Sequence, residues 1–236
     1  MPLWPSTQQL VGIMLMAALI TATTRKGMST RRLIASAAAS EVRLGKVWAS
    51  VVEVMLCGHV ASRNVHLTPS KPDASAGSLP RLFGTHTIFA LTAFDPPNEE
   101  RTLKANTAAN AELWKAINRM APKPAHVWPT WGYNLDEGWR EDGFALAYPR
   151  AAGGGSGGDA PRAAVVELAS TFKQGAIFEF SPGPSEDSLV RTTVPALSSS
   201  VVKEVVTVYQ VPPDLPPEPA MLQRPWAGPK AAMAGW

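Results

Sequence analysis

HTIFALTAFDPPNEERTLKANTAANAELWKAINRM, residues 86–120, is the stretch on which the reading of the chain turns. Ile88 to Phe94 is a short, nearly unbroken apolar run, the pattern of a strand buried on both faces. Asp95-Pro96-Pro97-Asn98 ends it, because proline lacks an amide donor and biases the preceding residue towards extended geometry. Asn98 is suited to cap a helix, with Glu99 and Glu100 in a first turn where carboxylates match the helix dipole. The helix is predicted from about Glu99 to Met120. Leu103, Asn106, Asn110, Leu113, Ile117 and Met120 then fall on one face at alternating spacings of three and four. Two asparagines on an apolar stripe need partners, since a buried unpaired amide costs about 1–3 kcal/mol. Either they bond neighbouring backbone and fix its register, or they line a polar site where strand meets helix. A third arrangement turns Ala105, Ala108, Ala109 and Ala116 inward and exposes both asparagines.

Beyond the helix, Pro122 and Pro124 stop the pattern. Ala125 to Tyr133 is aromatic and β-leaning, with Pro129 suggesting an edge strand or a bulge. Asn134 to Gly138 reads as a turn and Glu141 to Tyr148 as the next strand, so the two runs form an expected hairpin. The Gly-Ser stretch from Arg150 to Pro161 is an insertion-like loop. A second helix is predicted over Pro161–Lys173, with Asp159 as its cap and Gln174-Gly175 after it. Ala176 to Phe180 is a fourth strand, and Ser188 to Val194 a candidate fifth. The order strand, helix, strand, strand, helix, strand predicts an α+β fold, a two-layer ferredoxin-like sandwich (βαββαβ) over residues 80–195. VVKEVVTVYQV, residues 201–211, offers an additional C-terminal edge strand. The Pro-rich end that follows is expected to be PPII-like.

Ahead of residue 80 the chain reads differently. Residues 1–48 are expected to be a targeting leader or a disordered tail. Leu10 to Ile20 is apolar but too short for a membrane span, which takes about 20 residues. Residues 24–48 are rich in Arg, Ser and Ala, and Glu41 is the first acid of the chain. That is the composition of a transit peptide and predicts a mitochondrial or plastid matrix address, with the cytoplasm as the alternative. Met28 is a second candidate start. Residues 49–79 read as a partly ordered segment and linker. Val47 to Val60 is apolar enough to order as strand or helix, and periodicity does not choose between them. Thr68 to Pro80 is small, polar and interrupted by proline.

Composition narrows the classes. The 236 residues are 45% hydrophobic and 17% charged, with 22 prolines and 18 glycines. The formal net charge of +3 comes from the leader, because residues 41–236 carry 18 basic against 19 acidic side chains, a net of −1. The folded part therefore lacks the basic footprint of a nucleic-acid binder, and no nucleic-acid partner is expected. Cys57 is the single cysteine, so no intrachain disulfide exists and thiolate metal clusters are excluded. His59, His66, His86 and His126 lack metal-ligand spacing, and neither a metal nor a cofactor is predicted. There is no GxGxxG, Walker A or GxSxG pattern. Trp128, Trp131, Tyr133 and Trp139 gather around the hairpin, as core and rim packing or as a stacking platform.

Four spots in order resemble an uncharacterised family, domain of unknown function 3293. Leu91 to Pro96 (LTAFDP) resembles its strand ending in Thr-Ala-x-(Asn or Asp)-Pro. Asn106, Asn110 and Leu113 resemble its Asn-x-x-x-Asn-x-x-Leu helix. Trp139, Glu141 and Phe144 resemble its Trp-x-Glu-x-Ser-Phe strand, with Gly143 in place of the serine. Phe172, Gln174, Ala176, Ile177 and Phe178 resemble its Phe-Gly-Gln-x-Ala-Ile-Phe junction, with Lys173 in place of the glycine. The resemblance covers about residues 86–182 and implies a shared fold without a known activity. It groups Thr92, Asp95, Asn106, Asn110, Glu141 and Gln174 as polar positions near element ends. The reading reached is a small binding or interaction module whose small-molecule or protein ligand meets those six residues. The alternative is a small metal-assisted hydrolase or nuclease using Asp95 and Glu141.

Overall fold

The computed structural model describes residues 48–71, 76–96, 99–150, 159–197, 205–212 and 224–233. Eight strands form one sheet: β1 (Val52–Met55), β2 (Val65–Pro69), β3 (His86–Thr92), β4 (His126–Asn134), β5 (Trp139–Pro149), β6 (Ala176–Pro182), β7 (Ser188–Pro195) and β8 (Val205–Gln210). The helices are α1 (Gly58–Ala61), α2 (Arg81–Thr85), α3 (Leu103–Arg119) and α4 (Asp159–Thr171), followed by a 3-10 turn at Lys230–Met233. The strands run β1-β2-β8-β7-β6-β3-β5-β4 and return to β1, every pair antiparallel.

The expected two-layer ferredoxin-like sandwich is therefore incorrect: the sheet is a closed eight-stranded barrel. The strands and helices between residues 86 and 182 follow one another in the expected order. What differs is the fate of the sheet's two sides. A hairpin adds β7 to β6, and β1 pairs with β4 through Val52↔Tyr133 to Met55↔Thr130. β2 and β8 then join these additions, meeting at Thr68↔Gln210 and Pro69↔Tyr209. The ambiguous run at 47–60 supplies β1 and α1, so residues ahead of position 80 build part of the barrel wall. β8 is hydrogen-bonded on both sides rather than lying at an edge. Pro129 sits where β1 stops pairing with β4, so its missing amide leaves no gap in the ladder.

Alternation along each strand separates two cores. Inward-facing Met55, Leu67, Ile88, Ala90, Trp128, Ala145, Ala147, Phe180 and Tyr209 pack inside the barrel, with Phe83 of α2 filling one end. Outward-facing Phe89, Leu91, Phe144, Leu146 and Ile177 pack under α3 and α4, against Leu113, Ile117, Val165 and Leu168. β3 and β5 are thus buried on both faces, which is why their sequences read as continuous apolar runs. On the outer side of β8, Val206 and Val208 are exposed.

Helix α3 begins later than predicted. Its cap is Thr102, whose hydroxyl accepts from the Ala105 amide at 3.2 Å. The expected cap, Asn98, lies outside the described residues, as do the leader up to residue 47, the Gly-Ser stretch 151–158 and the Pro-rich residues 213–223. Of the arrangements left open by the sequence, the one with the asparagines inward is found: Asn106, Asn110, Leu113 and Ile117 are all buried, while Leu103 at the start of the stripe is exposed. Among the described residues no helix is long and apolar enough to cross a membrane.

Candidate functional site

Between β3 and α3, the described residues 93–96 and 99–102 are irregular backbone. Their polar groups are satisfied largely by the side chains singled out in the sequence. Asn110 Oδ1 accepts from the Ala93 amide at 3.1 Å, while Nδ2 donates to the Asp142 carbonyl at 2.8 Å and the Ala227 carbonyl at 3.3 Å. Asn106 accepts from the Asp95 amide and donates to Asp95 Oδ1, at 3.1 and 3.0 Å. Asp95 Oδ1 also accepts from the Arg101 amide at 2.9 Å. The Thr92 hydroxyl donates to the Asp142 carbonyl at 2.7 Å and accepts from the Phe94 amide at 2.9 Å. Gln174 Nε2 donates to the Phe94 carbonyl at 2.8 Å. Five of the six residues thus converge on one loop, and much of their hydrogen-bonding capacity holds its main chain. Asp95 itself sits at φ +29°, a left-handed conformation that this web of bonds maintains.

Glu141 differs from the other five. It lies on the inward face of β5, two residues from Gly143 and four from Ala145, and among the described residues no hydrogen-bond or ion-pair partner reaches it. In the barrel wall it is opposite Gly132, which is in turn opposite Glu53. The two glutamates therefore flank a glycine in one cross-strand row. A Cβ at Gly132 would press on Glu53 Oε2 at 3.3 Å, so the glycine leaves room for that carboxyl. Glu53 is fully buried and accepts from the Thr130 hydroxyl at 2.6 Å. Burial raises it to about 7, against the lowering influence of Thr130 and Arg191. Burial raises Glu141 to about 8, and the charges of Asp95 and Glu53 add to the rise. Asp95 and Glu141, paired in the sequence reading, are close enough to repel one another.

Opposite these acids, on β7, lies Arg191, fully buried. Its guanidinium is held between the rings of Phe178 and Tyr209, 4.1 and 4.5 Å from their centroids. Its Nη2 donates to the Trp48 carbonyl. Among the described residues Nε and Nη1 have no partner, nor has the hydroxyl of Thr193 two residues on. The Tyr209 hydroxyl donates to the carbonyls of Val51 at 2.5 Å and Ala49 at 3.3 Å. Residues 48–51 thus run across the polar end of the barrel, held by β7 and β8.

A second buried charge cluster lies on the outer face. Asp142 accepts from Arg140 Nε at 2.7 Å, from Arg224 Nη1 at 2.9 Å and from the Ala227 amide at 2.6 Å. It anchors the returning C-terminal segment, where Trp226 meets Phe144 edge to face at 5.4 Å. Cys57 is buried beneath the barrel wall and pushed up to about 12, which leaves it an inert thiol at neutral pH. Trp128 is inside the barrel, whereas Trp131 and Tyr133 pack outside against Val54, so they do not form one stacking surface. Among the described residues no three His, Cys, Asp or Glu side chains are grouped to hold a metal ion.

Residues 91–177 match the model of a family described as Protein of unknown function (DUF3293). That stretch is similar to DUF3293. No curated protein and no solved structure matches the chain. The matched stretch contains the β3–α3 connection, both asparagines, the hairpin with Glu141 and Asp142, and Gln174. The two departures from the family pattern now have physical settings. A Cβ at Gly143 would overlap the Leu91 carbonyl, because β3 and β5 approach closely there. Lys173 stands at φ +58°, just past the end of α4, where glycine is the unstrained residue.

Glu53, Asp142, Arg191, Arg224 and Tyr209 were not selected from the sequence. A usable signal existed for three of them. Glu53 interrupts VVEVM and Arg191 interrupts SLVRTTV, each a lone charge inside a strand-forming run, and Asp142 ends the charged triplet Arg140-Glu141-Asp142 just ahead of GFALAY. Such a charge is either turned to water or buried at a cost that demands a partner.

Proposed function

We propose that the protein is a non-catalytic binding module, and that its ligand meets the barrel end where Glu141, Glu53 and Asp95 crowd together. The observation that carries this reading is Glu141, a carboxyl on the inner wall with no partner among the described residues and with two other acids pressing on it. A ligand group that donates hydrogen bonds or carries positive charge would relieve that crowding, so the class favoured is a small amine or an amine-bearing chain end. The remaining selected residues, Thr92, Asn106, Asn110 and Gln174, shape the site by fixing the loop that carries Asp95. The hydrolase reading is weaker on this geometry, because Asp95 Oδ1 already accepts two hydrogen bonds from its own loop and helix. In this reading the leader's composition sends the module to a mitochondrial or plastid matrix.

The test is a calorimetric titration of the full chain with ethylenediamine and with spermidine, repeated with Glu141→Gln. Saturable binding that the substitution weakens about tenfold, the loss of one charge-assisted hydrogen bond, supports the reading. Equal binding by both proteins, or none by either, overturns it.

A further inference from the structure

The strap formed by residues 48–51 shows what the inside of the barrel end accepts. Three main-chain carbonyls, those of Trp48, Ala49 and Val51, are taken up by Arg191 and Tyr209. The donors outnumber what the strap supplies: Arg191 Nε and Nη1 and the Thr193 hydroxyl, although buried, find no partner among the described residues. Leaving one such group unpaired costs about 1–3 kcal/mol. The guanidinium charge is not cancelled locally either. Glu53 is the carboxyl whose charge it feels, yet no ion pair joins them, and Glu53 spends its hydrogen bond on Thr130.

The strap is anchored at one end, where Val51 is fully buried and its amide donates to the Trp48 carbonyl at 3.3 Å. The Asn134 amide donates to Ser50 Oγ at 2.9 Å. Ahead of Val51 the strap lies nearer the surface: Ser50 is exposed and Trp48 and Ala49 are half-buried.

We propose that Arg191, Tyr209 and Thr193 form an oxyanion site, that its ligand is a small carboxylate, and that the carbonyls of residues 48–51 occupy it as a displaceable internal substitute. The planar guanidinium presents in-plane donors while both its faces are covered by aromatic rings, the arrangement that suits a planar two-oxygen acceptor. Thr193 supplies a further donor from the same strand. The strap fills the site with oxygens of the right kind but too few of them. A carboxylate that displaced it would satisfy donors that the strap leaves unmet. This inference stands apart from the amine reading at Glu141, since it uses other residues and opposite charge.

The experiment titrates the full chain with acetate and with benzoate, following tryptophan emission and melting temperature. A matched titration with sodium chloride controls for ionic strength. A saturable response to the carboxylates beyond that of chloride is expected. Thr193→Val keeps the side-chain shape and removes only an unpartnered hydroxyl, so it should fold as the parent does and weaken carboxylate binding about tenfold. Ser50→Ala loosens the strap and should tighten binding roughly threefold, by removing part of what the ligand must displace. Carboxylate binding that neither substitution alters, or no response beyond chloride in any of the three proteins, overturns the proposal. The amine titration with Glu141→Gln is read separately, so the loss of one result leaves the other intact.

Discussion

The carboxylate of Asp142 and the guanidinium of Arg224 meet at 2.9 Å, joining the middle of a barrel strand to a segment 82 residues further along the chain. Asp142 is fully buried and accepts from Arg140 as well, so one carboxylate serves two guanidinium groups and the Ala227 amide. Replacing it with alanine would leave both cations without their acid. A buried pair broken from one side typically costs 3–5 kcal/mol. Asp142→Ala should therefore lower stability by about 3–5 kcal/mol in urea-melt experiments. Arg224→Ala should cost less, since Arg140 still neutralises the acid. If the two variants lose the same stability, the shared-acid account fails.

Asn110 makes three hydrogen bonds, to the Ala93 amide and to the carbonyls of Asp142 and Ala227. Alanine there removes the side-chain partner of the Ala93 amide and the Ala227 carbonyl, and leaves the Asp142 carbonyl with the Thr92 hydroxyl alone of its two side-chain donors. The expected loss is about 2–4 kcal/mol, larger than that for Asn118→Ala, whose amide bonds only its own helix on the exposed side. Chemical denaturation of the two variants measures the difference, and parity between them would contradict the anchoring role.

The pH dependence follows from Glu53. Its carboxyl titrates near 7 in the fold, against 4.5 for a solvated glutamate. Below 4.5 it is protonated in both states and the fold bears no penalty. As pH rises from 4.5 to 7 the unfolded chain gives up its proton first, so stability falls, and above 7 the loss is complete. Glu141, raised to about 8, acts in the same direction and extends the window. Glu53→Gln should thus be more stable than the parent at pH 8, by on the order of 3 kcal/mol, with the gap closing towards pH 4.5. Melting curves at those two pH values check it; a gap that widens on acidification would reverse the argument.

Lys173 adopts φ +58° immediately after α4, where a side chain is strained. Its ammonium pairs with Glu99 at 2.9 Å, but that pair is exposed and contributes little. Lys173→Gly should therefore stabilise the protein by about 0.5–1 kcal/mol. A destabilised variant would mean that the ion pair outweighs the backbone strain.

The elements of the DUF3293-like stretch could be read from sequence because each carries its own period. Leu103 to Met120 repeats every three or four residues, and Ile88 to Phe94 is apolar but for Thr92 because helices cover its outer face. The same spacing put Asn106 and Asn110 on one stripe but left open whether that stripe or the alanine side faces inward. Closure of the sheet left no such mark. β1 is four residues long, and VEVM is equally compatible with a helix. What makes it a strand is pairing with Thr130 to Tyr133, nearly eighty positions away. The candidate site was legible only in part for a related reason. Asp95 and Glu141 lie within the family-like stretch, whereas Glu53, Arg191 and Tyr209 reach the same barrel end from strands that become neighbours only once the sheet has closed.

The join between β2 and β8 is short: Thr68 faces Gln210, Pro69 faces Tyr209, and the Ser70 amide reaches the Val208 carbonyl. Proline contributes no amide to it. A ring parted there would expose two fresh strand borders at once, each shaped to fit the other. In a concentrated solution the nearest complement belongs to another molecule, so β1 and β2 of one chain would complete the ring of a second and form a swapped dimer. Size-exclusion chromatography after refolding at high and low protein concentration would reveal it, and a monomer at every concentration would mean that the short join is tighter than its length suggests.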